Sequence, residues 1–525
     1  MVATKTVRIR SLTAASLTLA VCLTACSSHD AGSEAETGTT SSQTIVIGTR
    51  NVAASLDPAL ADDNPSDSYN DAVYERLVTY SPTQKKYVPQ LATSWTATAN
   101  SSVYTFDLRK GVKFQDGSTL TAAGVIASLQ RTERIGKGSA FLLDGISKYQ
   151  ALGTHRLRIT LKTSDAAFPD KMSQIFIMSG KAAKAHPKES AWFGKHSAGS
   201  GPYQLQKWVP NNEIDLTRFN GYWRGWQGTH ANRYELKVVD AATQVLQLRQ
   251  GTIDLADSIT FQDAKQMKSQ TGEFTVYQNG GLPFYLPFNL DSPKLQNVKV
   301  REAISKAIPY KQVINKIMLG FGKSLAGPVP SWMDDHNDSL QAPSQDIAGA
   351  RKIMAGLGYT KAHPLKLNML YFNGLDAERV MATVVQASLK EIGVSLQVQG
   401  APWATLVAQV SDKSRRPDLG IVAMSSPTYG PGPLLTSSFD PQREGSWTYW
   451  GYHDNNTVTL LRKAQVEPDV SKQQQMLQKV QSSLVDQYAA VWLTTYPDVI
   501  VAAKDVKGLQ IDGLDRGFDY YQVHK

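Results

Sequence analysis

The sequence predicts an α/β fold of two or three domains behind an exported, tethered N-terminus. Three observations carry this reading. The two cysteines of the 525-residue chain, Cys22 and Cys26, lie within five positions near its start. The stretch from there to "TIVIGT" (44–49) holds no aliphatic residue larger than alanine. Beyond it, helical and strand spacings alternate to the end, as in α/β lobes.

The N-terminus comes first. Lys5, Arg8 and Arg10 precede "SLTAASLTLAVCLTAC" (11–26), the charged, apolar, then small-residue order of a secretion signal. The apolar run is about 13 residues, short of the roughly 20 that cross a hydrocarbon core. Leu23, Thr24, Ala25 and Cys26 resemble the bacterial lipobox, which implies cleavage before Cys26 and a diacylglycerol on its sulfur. Residues 1–25 are then signal peptide. The other reading is an ordinary exported protein cleaved elsewhere, with an incidental cysteine. "SSHDAGSEAETGTTSSQ" (27–43) is too polar to bury a core. Residues 26–43 are expected as a flexible tether, and 17 residues of coil span about 20–25 Å.

Composition bounds the remainder. About 480 residues are too many for one core. No cysteine follows Cys26, which excludes disulfides, thiolate-bound zinc and thiol catalysis in the body. The net charge of +9 falls to nearer +6 without the signal, and its cations are scattered rather than run together. No nucleic-acid partner is expected.

Catalytic motifs fail one by one. "GFGKSLAG" (320–327) carries Gly-Lys-Ser, but Ile317 stands where a phosphate loop needs its first glycine. Ser200 in "AGSGP" has Ala198 and Pro202 where a nucleophile elbow needs glycines. The nine histidines include no i,i+4 pair, and His186 and His196 are ten apart. No catalytic residue, metal or cofactor is expected.

The elements of the body read in order. "TIVIGT" is a buried strand. In "YTFDLRKGVKFQDG" (104–117), Tyr104, Phe106 and Leu108 alternate, and Val112 and Phe114 resume after Gly111, which predicts a hairpin. Thr121 caps a helix with Val125, Ile126 and Leu129 on one side. "NVKVREAISKAI" (297–308) has Val300, Ala303, Ile304 and Ala307 at helical spacing, and Pro309 breaks that helix or opens the next. "ERVMATVVQASLKEIGVSLQVQ" (378–399) is a helix, then a strand with Val394, Leu396 and Val398 alternating.

The words "SLDPAL" (55–60), "AVYERLVTY" (72–80), "VPQLATSW" (88–95), "YTFDLRKGVKFQDGSTLTAAGVIASLQR" (104–131), "GSGPYQLQKWVPNNEIDLTRFNGYW" (199–223), "VLQLRQGTIDLA" (245–256), "FNLDSPKLQNVKVREAISKAI" (288–308) and "IAGARKIMAGLGY" (347–359) keep an order and spacing. Together they resemble the extracellular solute-binding family that serves peptide and nickel ABC importers. The resemblance runs from about residue 45 to the C-terminus. Pro309 and Tyr310 stand where many members have an Asp-Arg pair. It implies a periplasmic-binding-protein-like two-lobed fold, type II, cluster C, with an extra subdomain. The expected parts are lobe I from 44–82, 198–278 and 500–525, an accessory subdomain from 83–197, and lobe II from 279–499. It also implies a non-enzyme on the outer face of the cell membrane, delivering solute to ABC permease transmembrane subunits. An exported enzyme or sensor on the same scaffold is the other class.

The resemblance places ligand residues at strand ends and lobe crossings. These are Asn51, Asp62, Asp63, Asn64 and Tyr69 in lobe I, and Asn279, Phe284 and Tyr285 near the crossing. In lobe II they are Trp403, Thr428, Tyr429, Trp447 and Trp450. Phe288 and Asn289 match a structural "FN". "MSSPTYGPGP" (424–433) matches the loop in which peptide-binding members hold an aspartate for the α-ammonium, and that place falls on Pro427. Two accounts stay open. Asp62 or Asp63 supplies the charge and the ligand is an oligopeptide, or the ligand is an oligosaccharide, an opine or a metal chelate. The aromatic residues Tyr429, Trp447, Tyr449, Trp450 and Tyr452 suit flat stacking partners, and each also reads as lobe II core.

Overall fold

In the computed structural model the described residues are 43–61, 63–81, 84, 86–270, 272–424, 428, 430–511 and 517–525. The expected signal, the lipidation site Cys26 and the tether lie outside them, as do Asp62, Pro427 and Tyr429.

Three larger sheets organise the chain. The first has seven strands, ordered Phe274–Gln278, Val499–Ala503, Leu255–Ala256, Thr44–Thr49, Arg233–Val238, Glu213–Arg218 and Tyr203–Val209. The strand predicted at "TIVIGT" lies inside it, parallel to both neighbours. Its β-branched Ile45 and Ile47 enter the core, where each fully buried aliphatic side chain contributes about 1.5–3 kcal/mol. The second sheet has five strands, ordered Val394–Ala401, Leu365–Phe372, Leu419–Ala423, Leu282–Pro287 and Ala490–Tyr496. Leu365–Phe372 is parallel to both of its neighbours. The third has four antiparallel strands between Ala92 and Leu161, with the helix Ala122–Ile135 packed on it. Ser42–Lys525 form one compact unit.

The chain passes between the first two sheets twice, at 279–281 and at 497–498, and the two passages are tied together. Asn279 Nδ2 donates to Asp498 Oδ2 at 2.9 Å, and the Asp498 amide donates to Asn279 Oδ1 at 2.9 Å. Gly281 has φ +78°, and a Cβ there would stand 2.6 Å from the Pro497 nitrogen, so this close passage requires glycine.

The helix at 122–135 forms as its pattern predicts. Thr121 Oγ1 accepts from the Gly124 amide at 3.0 Å, and Val125 and Leu129 are buried. The hairpin expected between 104–108 and 112–114 does not form. Val103–Leu108 pairs instead with Ala92–Ala97 and Arg156–Leu161, which offer longer registers. Val112 and Phe114 are buried as their alternation suggests, but in a tight turn closed by the Lys113–Thr119 bridge.

The recurring words are joined in space. Asp57 of "SLDPAL" receives both Arg131 guanidinium NH groups, at 2.7 Å each, with neither side chain exposed. Gln115 of "KFQDG" donates to the carbonyls of Val73, Gly201 and Tyr203 and accepts from the Gly199 amide at 3.2 Å. Ser200 donates to the buried Glu75 at 2.8 Å, an anchoring hydroxyl rather than a nucleophile. Asn289 donates to the Arg416 carbonyl and accepts from the Asp291 amide.

Candidate functional site

The parallel strands of the first two sheets end facing each other. Ligands of open α/β sheets lie outside the carboxyl ends of such strands. After Thr49 come Arg50 and Asn51, and after Ala256 come Asp257 and Ser258. All four line a cavity of about 330 Å³. Tyr496, Pro497 and Asp498 of the passage close one side, and Phe261, Phe518 and Tyr520 supply apolar rings. Leu375, beyond the carboxyl end of Leu365–Phe372, reaches it from the second sheet. The cavity thus draws on both halves of the molecule.

Its electrostatics are mixed. Ser258 Oγ donates to Asp257 Oδ1 at 2.7 Å, while the neighbouring Thr49 hydroxyl donates to the Asn51 carbonyl at 2.9 Å. Burial, reinforced by Asp498, pushes the Asp257 carboxyl up to about 6 against the Ser258 hydrogen bond and the pull of Arg50. Glu378, in the first turn of the helix Asp376–Lys390, accepts from the Phe372 amide at 2.7 Å, and burial raises it to about 8.

A second contact joins the halves further along. Asp170, 2 % exposed and on the third-sheet side, accepts from the Tyr87 hydroxyl and from the Gly430 amide at 3.2 Å. Gly430 caps the helix Pro431–Phe439, so a carboxylate faces a helix N-terminus, a favourable pairing. Nearby, Trp403 stands 44 % exposed, edge-on to Phe372 at 5.7 Å and to Trp447 at 4.9 Å.

The expected site residues divide accordingly. Asn51 lines the cavity, and Asn279 sits behind it, holding Asp498. Trp403 and Trp447 contact each other edge-on outside the cavity lining, and Thr428 is buried near Gly430 in sequence. Asp63 caps the helix Asn64–Val73, accepting from the Ser66 amide at 2.8 Å. Asn64 opens that helix. Tyr69 lies wholly within the first core. Phe284 stacks behind Tyr496 at 4.7 Å, while Tyr285 faces the opposite side of its strand and stacks on Trp492. Trp450 packs in the second-sheet core against Gly420, as do Tyr449 and Tyr452. Arg50, Asp257, Asp498, Tyr87 and Asp170 were not anticipated. Asp257 carried a signal, since it directly follows the short apolar run of a strand that flanks the first one.

Among the described residues no group of three or more His, Cys, Asp or Glu could hold a metal, and no helix is long and apolar enough to cross a membrane. His186 and His196 stack on the two sides of Trp192 at 4.3 and 4.4 Å.

Known proteins share this architecture. The chain is 27% identical over 475 residues to the probable D,D-dipeptide-binding periplasmic protein DdpA of Escherichia coli, covering 88% of this chain and 90% of that one. It is 26% identical over 485 residues to heme-binding protein A of Haemophilus influenzae, covering 86% and 87%. Among solved structures, the periplasmic binding protein DppA from Helicobacter pylori in complex with peptide STSA superposes with a TM-score of 0.75 at 22% identity, over 92% of this chain and 98% of that one. NikA from Brucella suis in complex with Fe(III)-EDTA superposes at 0.81 with 20% identity, over 91% and 99%. These likenesses fix the fold as the two-lobed type II binding-protein fold, here with an extra subdomain. The family is one of solute-binding proteins rather than enzymes. With its model matching residues 86–446, this chain belongs to the bacterial extracellular solute-binding proteins, family 5.

Proposed function

We propose that this protein captures a short peptide in the cleft between its two lobes and presents it to the transmembrane subunits of an ABC importer, held at the membrane by a lipid on Cys26. The lobes correspond to 44–82, 198–278 and 500–525 on one side and 279–499 on the other, with 83–197 as the accessory part. The observation that carries the peptide reading is the cavity itself. Arg50 stands on the same wall as Asp257, with apolar rings around them. A zwitterion with small side chains matches such a lining. The relatives named for a D,D-dipeptide and, at 28% identity over 374 residues, for glutathione support it.

A second reading has its own observation. The exposed Trp403, with Phe372 and Trp447, suits a flat solute such as a chelate or sugar ring. Calorimetric titration with di- and tripeptides, haem and an oligosaccharide separates the two. Micromolar binding of a peptide supports the first. Binding of a flat solute with no peptide response replaces it. The anchor is tested separately. Cys26→Ala should release the protein into the medium, because the two acyl chains are what hold it. Retention in the membrane fraction through a high-salt wash would contradict the lipobox reading.

A further inference from the structure

The cavity contains two carboxylates whose partners, among the described residues, are neutral. Asp257 accepts from Ser258 Oγ at 2.7 Å, and Asp498 accepts from Asn279 Nδ2 at 2.9 Å. Both acids line the same 330 Å³ space, close enough that Asp498 disfavours the charge on Asp257. The loop and helix between Asp418 and Asp440 contain no acid at all. What they present near the cleft is the N-terminus of Pro431–Phe439, which carries partial positive charge and whose capping amide is already taken by Asp170. That stretch therefore offers an ammonium no carboxylate of its own. The acids on the opposite wall attract one.

We propose that Asp257 and Asp498 together hold an ammonium group of the solute, from the first-sheet wall and the lobe passage rather than from the lobe II loop. This deepens the short-peptide reading and rests on it. A primary ammonium has three donors, enough to serve both carboxylates at once. Placed between them, it relieves their mutual repulsion and their loss of solvent together. Asp498 is bonded through Asn279 to the other passage, so the ammonium sits at the joint between the lobes. Arg50, on the same wall, is left for the solute carboxylate.

The test is calorimetric titration of the protein with trialanine and N-acetyl-trialanine. Acetylation should weaken binding at least about tenfold in the wild type. The ratio should fall below about threefold in Asp257→Asn and narrow in Asp498→Asn. Denaturant midpoints of both variants confirm that they fold. Equal affinity for the two peptides overturns the assignment, as does an undiminished preference in Asp257→Asn. If no peptide binds, the peptide reading fails, and the assignment is decided by butylamine and putrescine at millimolar concentration. Thermal protection in the wild type that disappears in Asp257→Asn upholds it, and no protection overturns it.

Discussion

Asp57 and Asp257 belong to the same half of the molecule and are satisfied in opposite ways. Asp57 is wholly buried, and both its oxygens meet Arg131, with the Ala59 amide added at 3.0 Å. Asp257 is half-buried, has a neutral donor, and faces a cavity shared with a second acid. A carboxylate closed by its own chain holds structure. One left open to a cavity is available to something from outside. The difference separates clamp from site, although both are acids beside first-sheet elements.

The largest effect should come from the clamp. Arg131→Met leaves a buried charge without its partner and should cost about 3–5 kcal/mol in denaturant unfolding. Adding Asp57→Leu should recover much of that, since no charge then remains buried. Recovery of nothing would mean that the pair shapes the fold in some further way.

The contact between Asp170 and Gly430 should come next. Asp170→Asn weakens the bonds from Tyr87 and Gly430, a net loss of about 0.5–1.5 kcal/mol. Because one of these bonds crosses between halves, the loss should appear as a roughly 2–10-fold weaker solute affinity. A stability loss with unchanged affinity would make the contact merely structural.

Asp257 gives a pH signature. Its folded-state value, about 6, lies above the ordinary 3.8. Protonated Asp257 therefore contributes stability that is full below about pH 4 and is lost as pH rises through 6. Asp257→Asn should raise the melting temperature of the free protein at pH 7.5 and leave it unchanged at pH 4. Affinity for an amine-bearing solute should rise between pH 5 and 7 as the carboxyl ionises. The groups around it are Asp498, Arg50, Ser258 and Thr49. A flat profile would separate this acid from binding.

Trp403→Ala should have the smallest effect on stability, within about 1 kcal/mol, because the ring is already 44 % exposed. Its consequence should be confined to solutes with aromatic or long apolar groups.

The stretches that hold the clamp were visible in the sequence and the site was not. "SLDPAL" and the stretch ending at Arg131 were visible as words of a resemblance, although the pairing of Asp57 with Arg131 shows only in the structure. Helices with a cap and a clean apolar stripe, such as 122–135, were equally legible, since both signals are local. Pairing was less so: the alternation of Val112 and Phe114 reported burial but not the partner strand. The cavity needs seven separate stretches to meet, so no local pattern announces it. The word "VLQLRQGTIDLA" stops one residue before Asp257. The aromatic residues after 446 were ambiguous for the same reason. Trp447 is partly buried against exposed Trp403 and Trp450 lies in the core three positions later, a difference set by tertiary packing.

The central claim is that solute binds between the lobes and that both contribute to holding it. Binding must then favour the closed form by the difference in affinity between the two states. Small-angle scattering of the protein with and without saturating solute tests this directly. A smaller radius of gyration in the loaded state is predicted, and an unchanged radius at full occupancy would contradict the account.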